Sequence, residues 1–473
     1  MIRLLCLTAL LLAAVACDGG DESEVRDPGL PPTATATGTP EPDGTFIPFT
    51  PVPATPTPRP RPQANPFPDD LSGEAMALLT QIGEVRGTPA RREVEMFLLS
   101  REQARAYYLG DDSQAGEPPS DAIDAEEEAT AAPFDLRQET YVLLGMVPAP
   151  EDDPQGRDLQ EQQIDNLIDL ITGFYSNDFL AFYLVESING GIYGGLARST
   201  IVHELTHALQ YQYRDIDGLA RERAGDWDAT TALLDVLEGD AVYTETLVLG
   251  FSTRSTYREP VCFEIPAAQR ANTPYVVERE LDTWYEDGVC FIQAVRDQLT
   301  RGITGIFEDL PTTTEQILHP EKYLVGETAR PVFLNSLAEA LGPGWEQKGG
   351  ANFGEFGLQN ILLTGLGSDR AQVQEAAAGW GGDAFFFYGN AEGAQLLHLE
   401  TRWDTGADAS EFYGALVGSM VARGGGAGPD EGATRYRAAI DGVTWSATVA
   451  SDRVTLLVST DAGAVEAAAG MVE

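Results

Sequence analysis

The order of apolar and polar positions divides the chain into a helical body and a strand-rich end. Helical spacing begins near Leu71, where LSGEAMALLTQIGEV and ARREVEMFLLSREQARAYYL carry apolar residues three to four apart. An acidic polar stretch, GDDSQAGEPPSDAIDAEEE, interrupts it. DLQEQQIDNLIDLITGFY predicts a further helix ending at Gly173, and SNDFLAFYLVES, short and aromatic, predicts a strand or hairpin. Phe182 to Ser187 reads as a strand, either at a sheet edge or interior. Glycines 190, 191, 194 and 195 form a loop, either a lip of a cleft or a turn. Arg198 to Tyr213 predicts a helix whose apolar face is Ile201, Val202, Leu205, Ala208 and Leu209. Asp226 to Leu249 predicts a second long helix. Loops and helices such as ELDTWYEDGVCFIQAVRDQL alternate over 251–345. Beyond Gly350 come a helix, the runs FFFYG and AQLLHLETRW, and a helix in SEFYGALVGSMVA. TWSATVA and RVTLLVS then flank an SD turn and predict a hairpin, with a small closing helix over Ala464 to Met471. The expected class is α+β: a mostly helical core with a short edge sheet over 71–250, a helical and loop extension over 251–349, and a small mixed α+β module over 350–473.

The first seventy residues follow neither pattern. Arg3 precedes an apolar run from Leu4 to Val15, too short for a membrane span and of the length of an export signal over 1–16. Ala14-Val15-Ala16-Cys17, followed by Asp18-Gly19-Gly20, resembles the lipobox of bacterial lipoproteins, with Ala14 where those carry Leu. The resemblance implies cleavage before Cys17 and a lipid on that cysteine. The expected location is therefore outside the cytoplasm, anchored to the outer face of the cytoplasmic membrane or to an outer membrane. Residues 17–70 are rich in Thr, Pro and Ala, and such composition buries too little apolar surface to offset its ordering entropy. They read as a disordered tether with an upper reach on the order of 150 Å.

Composition excludes one class of partner. Lys and Arg number 30 against 74 Asp and Glu, a net charge of -44, and no basic patch is visible, so nucleic acid is disfavoured. The charge favours solubility and names no substrate. Of the four cysteines, Cys6 lies in the signal and Cys17 is the lipid site. Cys262 and Cys290 remain, an even pair in an exported chain, and predict a disulfide.

Chemistry concentrates in one motif. Only four histidines occur, and two stand in His203-Glu204-Leu205-Thr206-His207. On a helix, residues four apart share a face, so both imidazoles aim at one ion. Glu204 sits about 100° around, within reach of a water at that ion. A catalytic zinc needs a third protein ligand and an open position. The second long helix supplies Glu238 in LLDVLEGDAVYTE, with Asp235, Asp240 and Glu245 as rivals. Asp240 alternatively orients a ligating histidine. Gly239 would let the two helices approach closely.

HELTHALQ followed by EGDA resembles the gluzincins, the zinc peptidases with a His-His-Glu ligand set, and more narrowly a group of prokaryotic exported or lipid-anchored metallopeptidases. GFYSND, EQILHPEKY, GEFGLQ, GWGGD and RWDTGADASEF extend the resemblance over roughly 135–415. It implies a zincin-like catalytic core, one Zn2+ held by His203, His207 and Glu238, Glu204 as general base, and a peptide or protein substrate. His319, Tyr243 and Tyr211 are candidate donors to the oxyanion, and His398 reads as structural. The expected activity is hydrolysis of peptide bonds by a membrane-tethered zinc metallopeptidase. The alternative is an inactive zinc-binding or interaction lipoprotein at the cell surface.

Overall fold

A computed structural model describes residues 61–109, 135–168, 172–186, 195–249, 274–367 and 370–472. The expected signal, Cys17, most of the tether, Gly190, Gly191, Gly194 and Cys262 lie outside the described residues. The class is α+β, with two separate sheets.

The first sheet holds β1 (Asn65–Pro66), β2 (Glu95–Leu99), β3 (Gly173–Ser176) and β4 (Ala181–Val185), in the order β1-β2-β4-β3. Residues 65–70, expected to belong to the tether, take part in this sheet and in the helix that follows. Asn65 and Pro66 pair with Leu98 and Phe97, and Phe67 is buried. The helix expected to run to Gly173 is described over Leu159–Ile168, and GFYS is a strand.

Of the edge and interior readings of the Phe182–Ser187 strand, the interior one holds. β4 runs parallel to β2 on one side and antiparallel to β3 on the other. AFYLV is apolar on both faces, as a strand covered on both faces requires. Phe182 and Leu184 join one core with Met96 and Leu205, while Tyr183 and Val185 join another with Leu99, Tyr108 and Phe174. Among the described residues the edge on this side is β3.

Three helices pack beneath: α1 (Asp69–Arg86), α2 (Gly195–Tyr213) and α3 (Trp227–Leu249). α2 is wrapped by α1, α3, β3 and β4. Every residue from Ser199 to Tyr211 is buried, so this stretch of the helix has no solvent face and its polar groups need partners inside the protein. Gly173 permits the approach of β3, since a Cβ there would lie 2.7 Å from Thr200 Cγ2.

α4 (Tyr275–Tyr285) and α5 (Asp287–Val295) lie against the far side of α3. Gly239 acts here. It brings α3 onto α5, not onto α2 as expected: a Cβ on Gly239 would meet Gly288 C at 2.2 Å, and one on Gly288 would meet Asp235 O at 2.1 Å. Backbone atoms cannot yield as a side-chain tip can. Gly239→Ala is expected to destabilise the fold by about 3 kcal/mol. Urea denaturation tests this, and an unchanged midpoint would show that the crossing is looser than described.

The second sheet comprises β5 (Trp345–Ala351), β6 (Trp380–Asn390), β7 (Gln395–Trp403), β8 (Arg435–Ile440), β9 (Val443–Ala450) and β10 (Arg453–Ser459). Its order is β5-β6-β7-β10-β9-β8, antiparallel throughout. The expected module boundary at 350 falls inside β5, so the lobe begins a few residues earlier. The predicted hairpin is β9–β10. Helices α6 (Gly354–Leu366) and α7 (Gly406–Ala422) cover one face, and α8 (Ala462–Val472) packs on the other.

This lobe is joined to the first turn of α3. Asp228 N donates to Asn352 Oδ1 at 3.4 Å, and its carboxylate accepts from Thr314 N at 2.8 Å and from Thr314 Oγ1, a hydroxyl that in turn accepts from Phe356 N at 3.2 Å. Asp383, from GWGGD, accepts from Phe353 N, Gly354 N and Trp380 Nε1. Trp227 packs edge-on against Phe353 and Phe385. The motif residues of the carboxyl-terminal half therefore hold the helix that carries Glu238. No described helix is long and apolar enough to cross a membrane.

Candidate metal centre

His203 and His207, one turn apart on α2, present Nε2 atoms to the same carboxylate of α3. Glu238 Oε2 lies 3.0 Å from His203 Nε2 and 3.5 Å from His207 Nε2. One donor atom from each residue lies within 4.8 Å of the other two, and all three residues are buried. His207 Nε2 is enclosed and makes no hydrogen bond. A buried ring nitrogen without a partner costs about 1–3 kcal/mol. Two imidazoles and a carboxylate of this spacing are a donor set suited to zinc, and the lone Nε2 is satisfied by coordinating it. Glu204 is wholly buried, and its charge acts on His207.

The outer ring nitrogens are held in a way that dictates tautomer. Glu245, two turns after Glu238 on the same face of α3, meets His203 Nδ1 at 2.6 Å, and its other oxygen accepts from the Ser199 hydroxyl. Gln210 Oε1 lies 2.8 Å from His207 Nδ1. The Gln210 amide nitrogen donates to Leu237 O at 2.9 Å and Asp240 Oδ2 at 2.7 Å, so its oxygen must face the imidazole. Both Nδ1 atoms therefore carry hydrogen, and in the neutral rings both Nε2 lone pairs point inward. Asp240 was expected to touch a histidine. It instead fixes Gln210 while bound by the buried guanidinium of Arg86, at the end of α1. Arg86 also donates to Thr244 Oγ1 at 3.1 Å.

Sequence reasoning had Glu245 only as a rival ligand and missed Gln210, Ser199 and Arg86. The i+3 spacing of Gln210 from His207 was a visible signal, as was the seven-residue spacing of Glu238 and Glu245. The contact of Arg86, 154 residues from Asp240, had none. Glu245→Ala is expected to weaken zinc binding about 10–100-fold with the ligands intact. Competition with a chromophoric chelator measures this, and an unchanged affinity would remove Glu245 from the centre.

Charge in the metal-free centre follows from the same contacts. Burial would depress the His203 pKa, but Glu238 and Glu245 outweigh it and raise it to about 10. His207 is also raised: burial opposes, and the Glu238 charge prevails. Burial would push Glu238 up, yet the imidazoles, His207 first, hold it below its ordinary value. Because the folded pKa of His203 exceeds the unfolded one, its pairing stabilises the metal-free protein fully below about pH 6.5 and is lost as pH rises through about 10. A cation at Nε2 must expel that proton. Zinc binding at pH 7 is expected to release at least one proton, read by calorimetry in two buffers of different ionisation enthalpy. Zero release would place the metal elsewhere.

The other candidate residues stand apart. Asp235 is buried beside Thr283, Arg279 and Asp287, and burial pushes its pKa well above the ordinary value. His319 meets Glu355 at 3.1 Å, and no hydrogen bond or ion pair joins it to the histidine pair. Tyr243, about 140° around α3 from Glu238, lies under the Arg296 guanidinium at 4.6 Å. Tyr211 lies on the face of His207, one turn on, its ring 5.7 Å from that of Tyr175. His398 is buried in β7, 3.5 Å from Glu400. Cys290 is disulfide-bonded, and its expected partner Cys262 lies outside the described residues. A second acidic group, Glu315, Glu327 and Asp404, already holds a cation: Lys322 Nζ lies 2.5, 2.8 and 2.9 Å from them.

Residues 341–469 match a protein family described as "Domain of unknown function (DUF8575)". The match covers the second sheet and its helices and leaves out His203, His207 and Glu238. No curated protein and no solved structure matches the chain.

Proposed function

We propose that this protein is a zinc-dependent metallopeptidase, exported and tethered to a membrane through Cys17. The observation that carries this reading is the convergence of His203, His207 and Glu238 beside the buried carboxylate of Glu204. His203, His207 and Glu238 would hold the zinc, which when bound would supply Lewis acidity toward a water and a peptide carbonyl. The chain supplies the rest. Glu245 and Gln210 hold the two imidazoles with Nδ1 protonated and Nε2 facing inward. Glu204 accepts the proton of the attacking water and passes it to the departing amide nitrogen. Burial around Glu204 keeps its carboxylate from being solvated away from that task. Asp240 and Arg86 stiffen the support beneath Gln210.

The location rests on the N-terminal apolar segment and the small residues before Cys17. The combined test is zinc analysis of the purified chain with cleavage of a peptide library. One zinc per chain and metal-dependent cleavage are expected. Stoichiometric zinc without cleavage of any peptide would favour the inactive zinc-binding lipoprotein, and absence of zinc would remove the enzyme.

A further inference from the structure

A cleft of about 730 Å³ opens where α2 ends, past the metal-binding residues. Its wall contains Arg91, Arg92 and Arg214, with Asp178 and Asp215. Three arginines in one cleft stand out in a chain with 30 basic and 74 acidic residues. The Asp215 carboxylate is occupied, accepting from Gly218 N at 2.9 Å as the cap of the helix Ile216–Arg223. Asp178 is engaged as well. Arg92 and Arg214 form no salt bridge with any described residue. Arg91 stacks on the Tyr213 ring at 3.6 Å and donates to Gln212 O at 3.3 Å, without a carboxylate.

The arginines are fixed to the metal-bearing helix. Gln212 Oε1 accepts from Arg91 N at 2.6 Å and Arg92 N at 3.0 Å, and its Nε2 donates to Arg92 O at 3.2 Å. The Tyr213 hydroxyl donates to Pro89 O at 2.8 Å. The opposite lip includes Leu180, held at φ 50, and a non-glycine residue kept in that region costs of order 1–3 kcal/mol. Arg214 continues the helical bonding, its N–H donating to Gln210 O at 2.9 Å. It stands seven residues after His207, almost on the same face and about 10 Å along the axis. An extended peptide covers that distance in about three residues.

We infer that this cleft recognises a carboxylate of the substrate, carried about three residues from the scissile bond, through Arg92 and Arg214 with Arg91 in support. Guanidinium groups bind carboxylates by paired N–H donors, and here the backbone segments that carry Arg92 and Arg214 are joined through Gln212 before binding. The carboxylate belongs to an acidic side chain or to the peptide C-terminus. The inference rests on the peptidase reading, and its test separates the two.

Matched peptides carry Glu or Gln at each of five positions from the cleaved bond, with a free or amidated C-terminus. Wild type is expected to show a kcat/KM about tenfold higher with Glu near the third position. A preference for the free C-terminus alone would assign the carboxylate to the chain end. In R92Q/R214Q the ratio between acidic and neutral peptides is expected to fall to about one. R92E/R214E is expected to prefer a matched peptide with Lys at that position over the Glu peptide. Equal kinetics in wild type, or a preference that survives R92Q/R214Q, would overturn the inference. Fluorescence anisotropy with labelled Glu and Gln peptides provides the second arm. Tighter binding of the Glu peptide without cleavage would sink the peptidase reading and retain the cleft. Equal binding would sink the cleft whatever the activity.

Discussion

Glu204→Gln is expected to bind zinc and fold as the wild type does while losing about 10²–10⁴-fold in kcat. The substitution keeps shape and volume and removes only the ability to accept a proton. Glu204 lies on α2 between two imidazoles that face Glu238, so its carboxylate is not needed to hold the cation. It is wholly buried, and the amide fills the same space. The assay is turnover of a library-derived peptide by zinc-loaded protein, with zinc content and far-ultraviolet dichroism measured on the same sample. Near-wild-type turnover would assign the proton transfer to another group. Loss of zinc together with activity would make Glu204 part of the ligand set.

Glu238→Ala should lose zinc more severely than any substitution behind the ligands, by more than roughly a hundredfold in affinity. In the metal-free protein Glu238 meets both imidazoles, so its removal also leaves buried cationic groups less compensated. Breaking such a pair costs about 3–5 kcal/mol. Two readouts are therefore expected to move together: zinc affinity and the stability of the metal-free chain. Glu238→Gln separates them, restoring hydrogen bonding but not the anionic ligand. Full zinc loading of Glu238→Ala at wild-type affinity would require another third ligand. The obvious substitutes are already engaged, Glu245 by His203 Nδ1 and Asp240 by Gln210 and Arg86.

Local chemistry was legible in the residues themselves. The four-residue spacing of His203 and His207 put both imidazoles on one face because helix geometry is a local property. The strand-rich end, the β9–β10 hairpin and the two long helices followed from periodicity for the same reason. Boundaries were less visible. GFYS was joined to the preceding helix because its aromatic run carries no period, and only the partner β4 decides that it is a strand. For Phe182 to Ser187 the choice between edge and interior stayed open, since pairing on a second side by β2, some 85 residues earlier, leaves no mark in the run itself.

The supporting contacts were the least legible. Asp240 was read as orienting a ligating histidine; its partners are Gln210 and Arg86, and Gln210 is the residue that meets His207. Gly239 signalled a close helix crossing without saying which helix, because a missing side chain is complementary to any backbone. The arginines at the end of α2 come from two remote segments, joined by the Gln212 side chain, the Tyr213 hydroxyl and the Arg91–Tyr213 stack.

By itself the sequence determined the identity and one-turn spacing of the two histidines, the adjacent acid, the anionic balance and the α+β class. These depend on residue chemistry and on periods of a few residues. Tertiary structure alone decided which carboxylate faces both imidazoles, which groups hold their outer nitrogens, and where unpaired arginines stand relative to them. Those choices depend on how α1, α2 and α3 cross, and crossing is set by side-chain packing between segments far apart in the chain.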